Sequence, residues 1–134
     1  MTRTFVDSGV LIAAARGVGT IQQVAEAILF DPKRTFASSL FVQMEVLPKP
    51  LYFKRLGEVS YYQRFFARVA VWATCDEALV QEAYEEAQAT GLAALDALHV
   101  AAARRMGAEE LVTSEGLTKP LHRARSLKVV TIQP

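Results

Sequence analysis

Residues 95–116 read LDALHVAAARRMGAEELVTSEG. The first half has the composition of a buried helix, in which Asp96 and His99 are the only polar residues before Arg104. Gly107 supplies a stop, and ELVTS then has the apolar, β-branched character of a short strand leading to Glu115. A helix followed at once by a buried strand is half of an α/β unit. It also poses a problem of charge, because an ionised carboxylate among alanines and leucines costs several kcal/mol unless something pairs with it.

Working outward, Thr2–Val6 is an extended segment leading into Asp7, and Ser8 is placed to cap a short apolar helix that Gly17 ends. A second helix is expected from Thr20 to about Phe30, then RTFAS at 34–38 as a buried strand. The next helix is capped by Ser38 or Ser39 and stops before Pro48. Residues 50–72 read as two helices or one bent helix, with Gly57 and Ser60 marking the break. A brief strand around Trp72–Thr74 precedes a helix that runs from an Asp76 cap to Thr90, where Gly91 closes it. After Glu115 come a turn or short helix over Gly116–Leu121 and a last strand in LKVVTIQ. Short apolar strands alternating with helices imply an α/β fold, with a parallel sheet covered on both faces and right-handed crossovers. In such sheets chemistry gathers at the carboxyl ends of the strands, and both Asp7 and Glu115 follow predicted strands.

The totals fit that reading. The 134 residues suit a single domain spanning 1–134 that buries its core without disulfides or a structural metal. The chain is 51% apolar and 22% charged, and its apolar runs fall well short of the ~20 residues that span a membrane. One cysteine, Cys75, excludes an intrachain disulfide and agrees with a reducing compartment. The opening MTRTFVDSG lacks the pattern of a secretory signal, so a cytoplasmic location is expected. A net charge of +1 by itself says nothing for nucleic acid. Its distribution is uneven: Lys49, Lys54, Arg55, Arg64 and Arg68 face a single acid, Glu58, between Pro48 and Trp72, whereas Asp76–Glu86 holds five acids and no base.

Four carboxylates lie in or beside apolar sequence without a basic partner at helical spacing in their own element: Asp7, Glu45 in FVQMEVL, Asp96 and Glu115. Each has a structural explanation when taken singly. Asp7 can cap a helix, Glu45 can lie on a solvated face, Asp96 can favour the dipole of its first turn, and Glu115 can be a turn acid. Together they form a set that converges on one pocket and invites Mg²⁺ or Mn²⁺, hard ions that prefer carboxylate oxygen. Such a site suits hydrolysis of a phosphodiester by activated water, with either one ion or two.

At these residues the chain resembles the PIN-domain nucleases. The likeness runs over VDSGVLIAA at the opening strand, MEVL in the middle, the 95–116 stretch and the closing KVVTIQP. It implies a three-layer α/β/α sandwich around a central mostly parallel sheet, and a Mg²⁺- or Mn²⁺-dependent endoribonuclease activity. It also implies Asp7, Glu45, Asp96 and Glu115 as catalytic and metal-binding acids, with the hydroxyls of Ser8 and Thr113 ordering the site. The size of the chain resembles that of a VapC-type toxin, which would be held by an antitoxin in a type II pair. Two positions depart from the pattern: Glu115 stands where aspartate is common, and Gly9 where a polar side chain is frequent. They motivate the rival reading, a catalytically weak PIN scaffold that binds RNA or a protein partner.

His99 lies one turn from Asp96, where a satisfied core histidine is the more common outcome than a catalytic one. Arg104, Arg105, Lys119, Arg123 and Arg125, with His122 nearby, are candidates for phosphate contacts or for a solvated surface. The aromatic and basic residues of 52–72 favour core packing or a protein interface, a homodimer among them, over stacking of single-stranded bases.

Overall fold

The chain runs β1 (Thr2–Val6), α1 (Ser8–Arg16), α2 (Gly19–Leu29), β2 (Arg34–Ser38), α3 (Leu40–Val46), α4 (Pro48–Tyr52) and α5 (Leu56–Ala67). It continues with β3 (Val69–Trp72), α6 (Glu77–Thr90), α7 (Ala94–Arg105), β4 (Glu110–Thr113), a 3-10 turn at Pro120–Arg123 and β5 (Lys128–Thr131). In this computed structural model, which describes all 134 residues, the strands form one sheet in the order β3-β2-β1-β4-β5, every neighbouring pair parallel. The sheet is therefore wholly parallel, and helices complete an α/β/α sandwich. Strand β4 is buried along its whole length, and β1 and β2 become buried toward their carboxyl ends, as expected when helices cover both faces.

This topology positions the site. From β1 the chain steps outward to β2 and β3, then jumps back past β1 to β4 and outward again to β5. Right-handed crossovers place the connections on opposite faces when the direction of stepping reverses. The reversal lies between β1 and β4, and the crevice at such a switch point is where open α/β sheets bind ligands. Helix α3 leaves the carboxyl end of β2 and packs against both α1 and α7, so it bridges the two helical layers above that crevice.

The core is one cluster of 27 buried apolar residues. Helix α7 contributes Ala97, Val100, Ala101, Ala102 and Ala103, and these small side chains let its backbone pack close to α6, β2 and β4. Its charges are handled by neighbours: Arg104 Nη2 lies 2.7 Å from Glu86 of α6, a carboxylate only 1% exposed, and Arg105 pairs with Asp76 and Glu82. At the amino end of the sheet, Glu110 accepts from Thr4 Oγ1 at 2.9 Å and from Arg34 Nε at 3.0 Å.

Several boundaries differ from the sequence expectations. The residue capping α1 is Asp7 rather than Ser8, and its side chain makes no capping hydrogen bond. The break in the middle of the chain falls at Phe53–Arg55, not at Gly57 or Ser60. There Pro48 starts α4, as proline can in a first turn, and Lys54 adopts a left-handed φ of 55°. Strand β3 sits at Val69–Trp72, upstream of Trp72–Thr74; only a single further hydrogen bond, from Ala73 N to Ser38 O at 3.0 Å, extends its ladder. Gly9 has a steric reason. A Cβ there would lie 2.0 Å from Ser114 Oγ, so the absence of a side chain lets the turn after β4 close over the start of α1.

Candidate functional site

Asp7 leaves β1 at its carboxyl end, its N–H donating to Val112 O of β4 at 2.9 Å and so prolonging the β1–β4 ladder across the switch point. Its carboxylate is nearly buried, with the side chain 10% exposed. Thr113 Oγ1, at the end of β4, donates to Asp7 Oδ2 at 2.9 Å, and Ser8 Oγ donates to Oδ1 at 3.4 Å. These two hydroxyls hold the carboxylate in place, which explains why it does not fold back to cap α1. Thr113 Oγ1 also accepts from the backbone N–H of Glu115 at 3.0 Å, fixing the turn that carries that residue.

Glu45 comes from α3 and reaches the same place. Its Oε1 lies 2.5 Å from His99 Nε2, and the same nitrogen lies 3.9 Å from Asp7 Oδ1. Ligand atoms of Asp7, Glu45 and His99 fall within 4.8 Å of one another. Burial pushes the Glu45 acid up, but the hydrogen bond and charge of His99, with help from the Ser8 hydroxyl, draw it below the ordinary carboxylate range. His99 is 1% exposed, packs against the Phe5 ring and leaves Nδ1 without a partner. With Nε2 donating to a carboxylate its lone pair is not free, so in this arrangement His99 holds Glu45 in place.

Asp96 lies in the first turn of α7, so its sequence-level explanation as a dipole-compatible acid is correct as far as it goes. It is not the whole explanation. Its acid is pushed above the usual range, first by burial and then by the charges of Asp7, Glu115 and Glu45, with His99 partly offsetting them. The other three predicted acids thus all act on Asp96 across the crevice. The four are not equally close: Asp7 and Glu45 form the tight pair, while Asp96 and Glu115 stand outside the 4.8 Å cluster. Glu115 is exposed, and His122 Nε2 donates to its backbone carbonyl at 3.0 Å. Ser8 and Thr113 both sit beside Asp7.

His99 is the residue that sequence reasoning undervalued. Its signal was present in its spacing of three from Asp96 on a helix whose other residues before Arg104 are all apolar, but nothing in the sequence brings α3 beside it. Conversely, Arg104 and Arg105 are committed to ion pairs with α6, and Arg123 donates to Thr90 O, so these arginines serve the fold.

Carboxylate oxygens with a charge that burial and repulsion leave uncompensated are the donor set that Mg²⁺ or Mn²⁺ prefers. The residues present therefore fit a divalent cation.

Comparison with known proteins agrees with this architecture. No curated protein sequence matches the chain. Among solved structures, VapBC2 from Rickettsia felis bound to a DNA fragment of its promoter superposes with a TM-score of 0.72 at 17% identity, covering 97% of this chain and 98% of that one. A toxin-antitoxin complex from Klebsiella pneumoniae gives 0.68 at 23% identity, covering 97% and 98%. DNA-bound VapBC from Salmonella typhimurium gives 0.68 at 16%, covering 99% and 100%. At these identities the likeness concerns the fold. The family described as PIN domain matches residues 4–116, a span that includes Asp7, Glu45, Asp96, His99 and Glu115, and the chain belongs to the PIN domain family of nucleases.

Proposed function

We propose that this protein is a metal-dependent endoribonuclease that hydrolyses RNA phosphodiesters, and that it serves as the toxin of a type II toxin-antitoxin pair. The observation that carries the proposal is the convergence of Asp7, Glu45 and His99 within 4.8 Å at the switch point of the sheet, with Asp96 disfavoured as an anion first by burial and then by its three acidic neighbours. The structural neighbours, described as toxin-antitoxin complexes, support the pairing with an antitoxin. A homodimer, a cytoplasmic location and a single domain over 1–134 complete the proposal; no helix is long and apolar enough to cross a membrane.

Asp7 and Glu45 would hold the ion, with Asp96 and Glu115 contributing negative charge. When bound, Mg²⁺ or Mn²⁺ activates water for attack and offsets phosphate charge. The protein's own task is to keep the acids oriented. Thr113 and Ser8 fix the Asp7 carboxylate, His99 fixes Glu45, and the N–H of Glu115 is tied to Thr113, so the carboxylates are arranged before substrate arrives. Asp96, set against a buried face, accepts a cation because its own environment disfavours an isolated anion.

The test is incubation of the purified chain with a panel of RNAs in Mg²⁺, Mn²⁺ or chelator, alongside its expression in a host with and without any small DNA-binding protein that a neighbouring reading frame encodes. Products that require metal, and growth arrest relieved by that neighbour, are expected. Tight RNA binding with no product under any metal would replace the nuclease by the non-catalytic scaffold, and cutting without growth arrest would remove the toxin role alone.

A further inference from the structure

Beside the acidic site, and sharing Glu45 as a wall, lies a second pocket of about 210 Å³. Arg16 from the end of α1, Lys49 from α4, Arg55 at the start of α5, Glu58 and Tyr62 also line it. Glu58 is occupied, since it accepts from Tyr62 Oη at 2.7 Å and lies 3.9 Å from Arg16. Lys49 and Arg55 make no ion pair. The guanidinium of Arg55 stands 5.1 Å over the ring of Phe53. Phe53, in the turn after α4, and Tyr52, the last residue of α4, are in edge contact with each other and are 57% and 79% exposed.

We propose that this pocket is a backbone subsite for single-stranded RNA, seating a phosphate neighbouring the one at the acidic site, with Lys49 and Arg55 as its contacts and Tyr52 and Phe53 as a platform for an unpaired base. The proposal rests on the nuclease reading for its direction, because Glu45 belongs to both pockets and a strand crossing the metal centre has its next phosphate beside it. Charge supports it. Arg16, Lys49 and Arg55 face only Glu45 and Glu58, and once Glu45 is committed to a cation the pocket is strongly positive. Size supports it too, since the volume is below the ~300–1,000 Å³ typical of sites enclosing drug-sized molecules and suits a phosphate with part of its ribose. Exposed aromatic faces next to unpaired cations are the combination that binds single strands without reading sequence. A base stacked on such a ring has left the stack of a duplex, so unpaired RNA is the class selected.

The experiment measures binding of a labelled single-stranded RNA of mixed sequence to the full chain in chelator, where nothing is cut, as a function of salt. A Lys49→Gln/Arg55→Gln variant is compared with a Lys33→Gln/Lys128→Gln variant of equal charge, and cleavage in Mn²⁺ is recorded in parallel. The expected result is an affinity loss of about tenfold at moderate salt for the first pair and little for the second. The log–log salt slope should become shallower by about 1.4, the value for two phosphate contacts on a single strand. In Mn²⁺ the first pair should raise KM and leave kcat near that of the parent. Equal losses in both pairs, or none in the first, would overturn the subsite while leaving the nuclease reading untouched. Competition by a polyglutamate peptide as effective as that by RNA would overturn it in favour of an acidic protein partner. If the parent cuts no RNA yet binds it through Lys49 and Arg55, the subsite stands and the nuclease reading fails.

Discussion

Replacing Asp96 by asparagine has consequences of opposite sign for stability and for metal response. In the folded chain this carboxylate is half-buried, and Asp7, Glu115 and Glu45 all oppose its ionisation. A raised acid means that folding favours the protonated form, so ionised Asp96 costs stability at pH 7, and that cost disappears as the pH falls below its folded value. Its place in the first turn of α7 returns ~0.3–1 kcal/mol through the helix dipole. Burial and the charges of three acids outweigh that gain, because on balance they disfavour the anion. After allowance for solvent around a half-exposed group, Asp96→Asn should stabilise the metal-free protein on the order of 1 kcal/mol, or about 3–5 °C in Tm for a chain of this length. The parent should gain from Mn²⁺ by mass action, about 2.7 kcal/mol at a hundredfold excess over Kd, and the variant much less. Thermal melts of both proteins in chelator and in Mn²⁺ measure the two effects together. A variant that melts at or below the parent in chelator, or that gains from Mn²⁺ as the parent does, would refute the convergence of acids on a cation site.

Three further outcomes follow from the geometry. Thr113→Val removes the hydroxyl that donates to Asp7 and accepts from Glu115 N–H; cleavage should fall about 10–100-fold, as for loss of a ligand's supporting hydrogen bond, while near-ultraviolet circular dichroism stays that of the parent. Asp76 caps α6 by accepting from Leu79 N at 2.8 Å and pairs with Arg105, and these contacts hold its acid below the usual range. Its contribution is therefore complete above the ordinary aspartate range and is lost as the pH falls through the lower folded value, so the gap in urea midpoint between parent and Asp76→Ala should be constant from pH 7 to 5 and close toward pH 2. Gly9→Ala forces Ser114 Oγ to move and should lower the midpoint, whereas in a Ser114→Ala background the same change should cost less, a coupling read from a double-mutant cycle.

Much of this fold is legible in the sequence because its punctuation is local. Gly91 takes a φ of 72° and Asp76 accepts from a backbone N–H, so the limits of α6 follow from two residues. The strands RTFAS and ELVTS are short and apolar and lie between helices, and a parallel sheet is the arrangement that accommodates them. The break at Phe53–Arg55 was not legible, because Lys54 carries the left-handed conformation that glycine usually signals. At the site, the four acids stand out by being charged in apolar surroundings, but their ranking is tertiary. Glu45 meets His99 only because α3 lies against α7, and that same contact converts a histidine that looks like core into the support of a carboxylate. The roles of Lys49 and Arg55 also depend on α4 folding back beside Glu45.

The most direct test of the catalytic site is the rate at which the purified chain cuts RNA in Mn²⁺ beside an identically prepared Asp7→Asn protein. Asp7 is held by Thr113 and Ser8 at the centre of the acidic cluster, and its neutralisation should lower the rate by about a hundredfold or more, to the level seen with chelator. Equal rates for the two proteins would contradict the assignment of the crevice between β1 and β4 as the catalytic site.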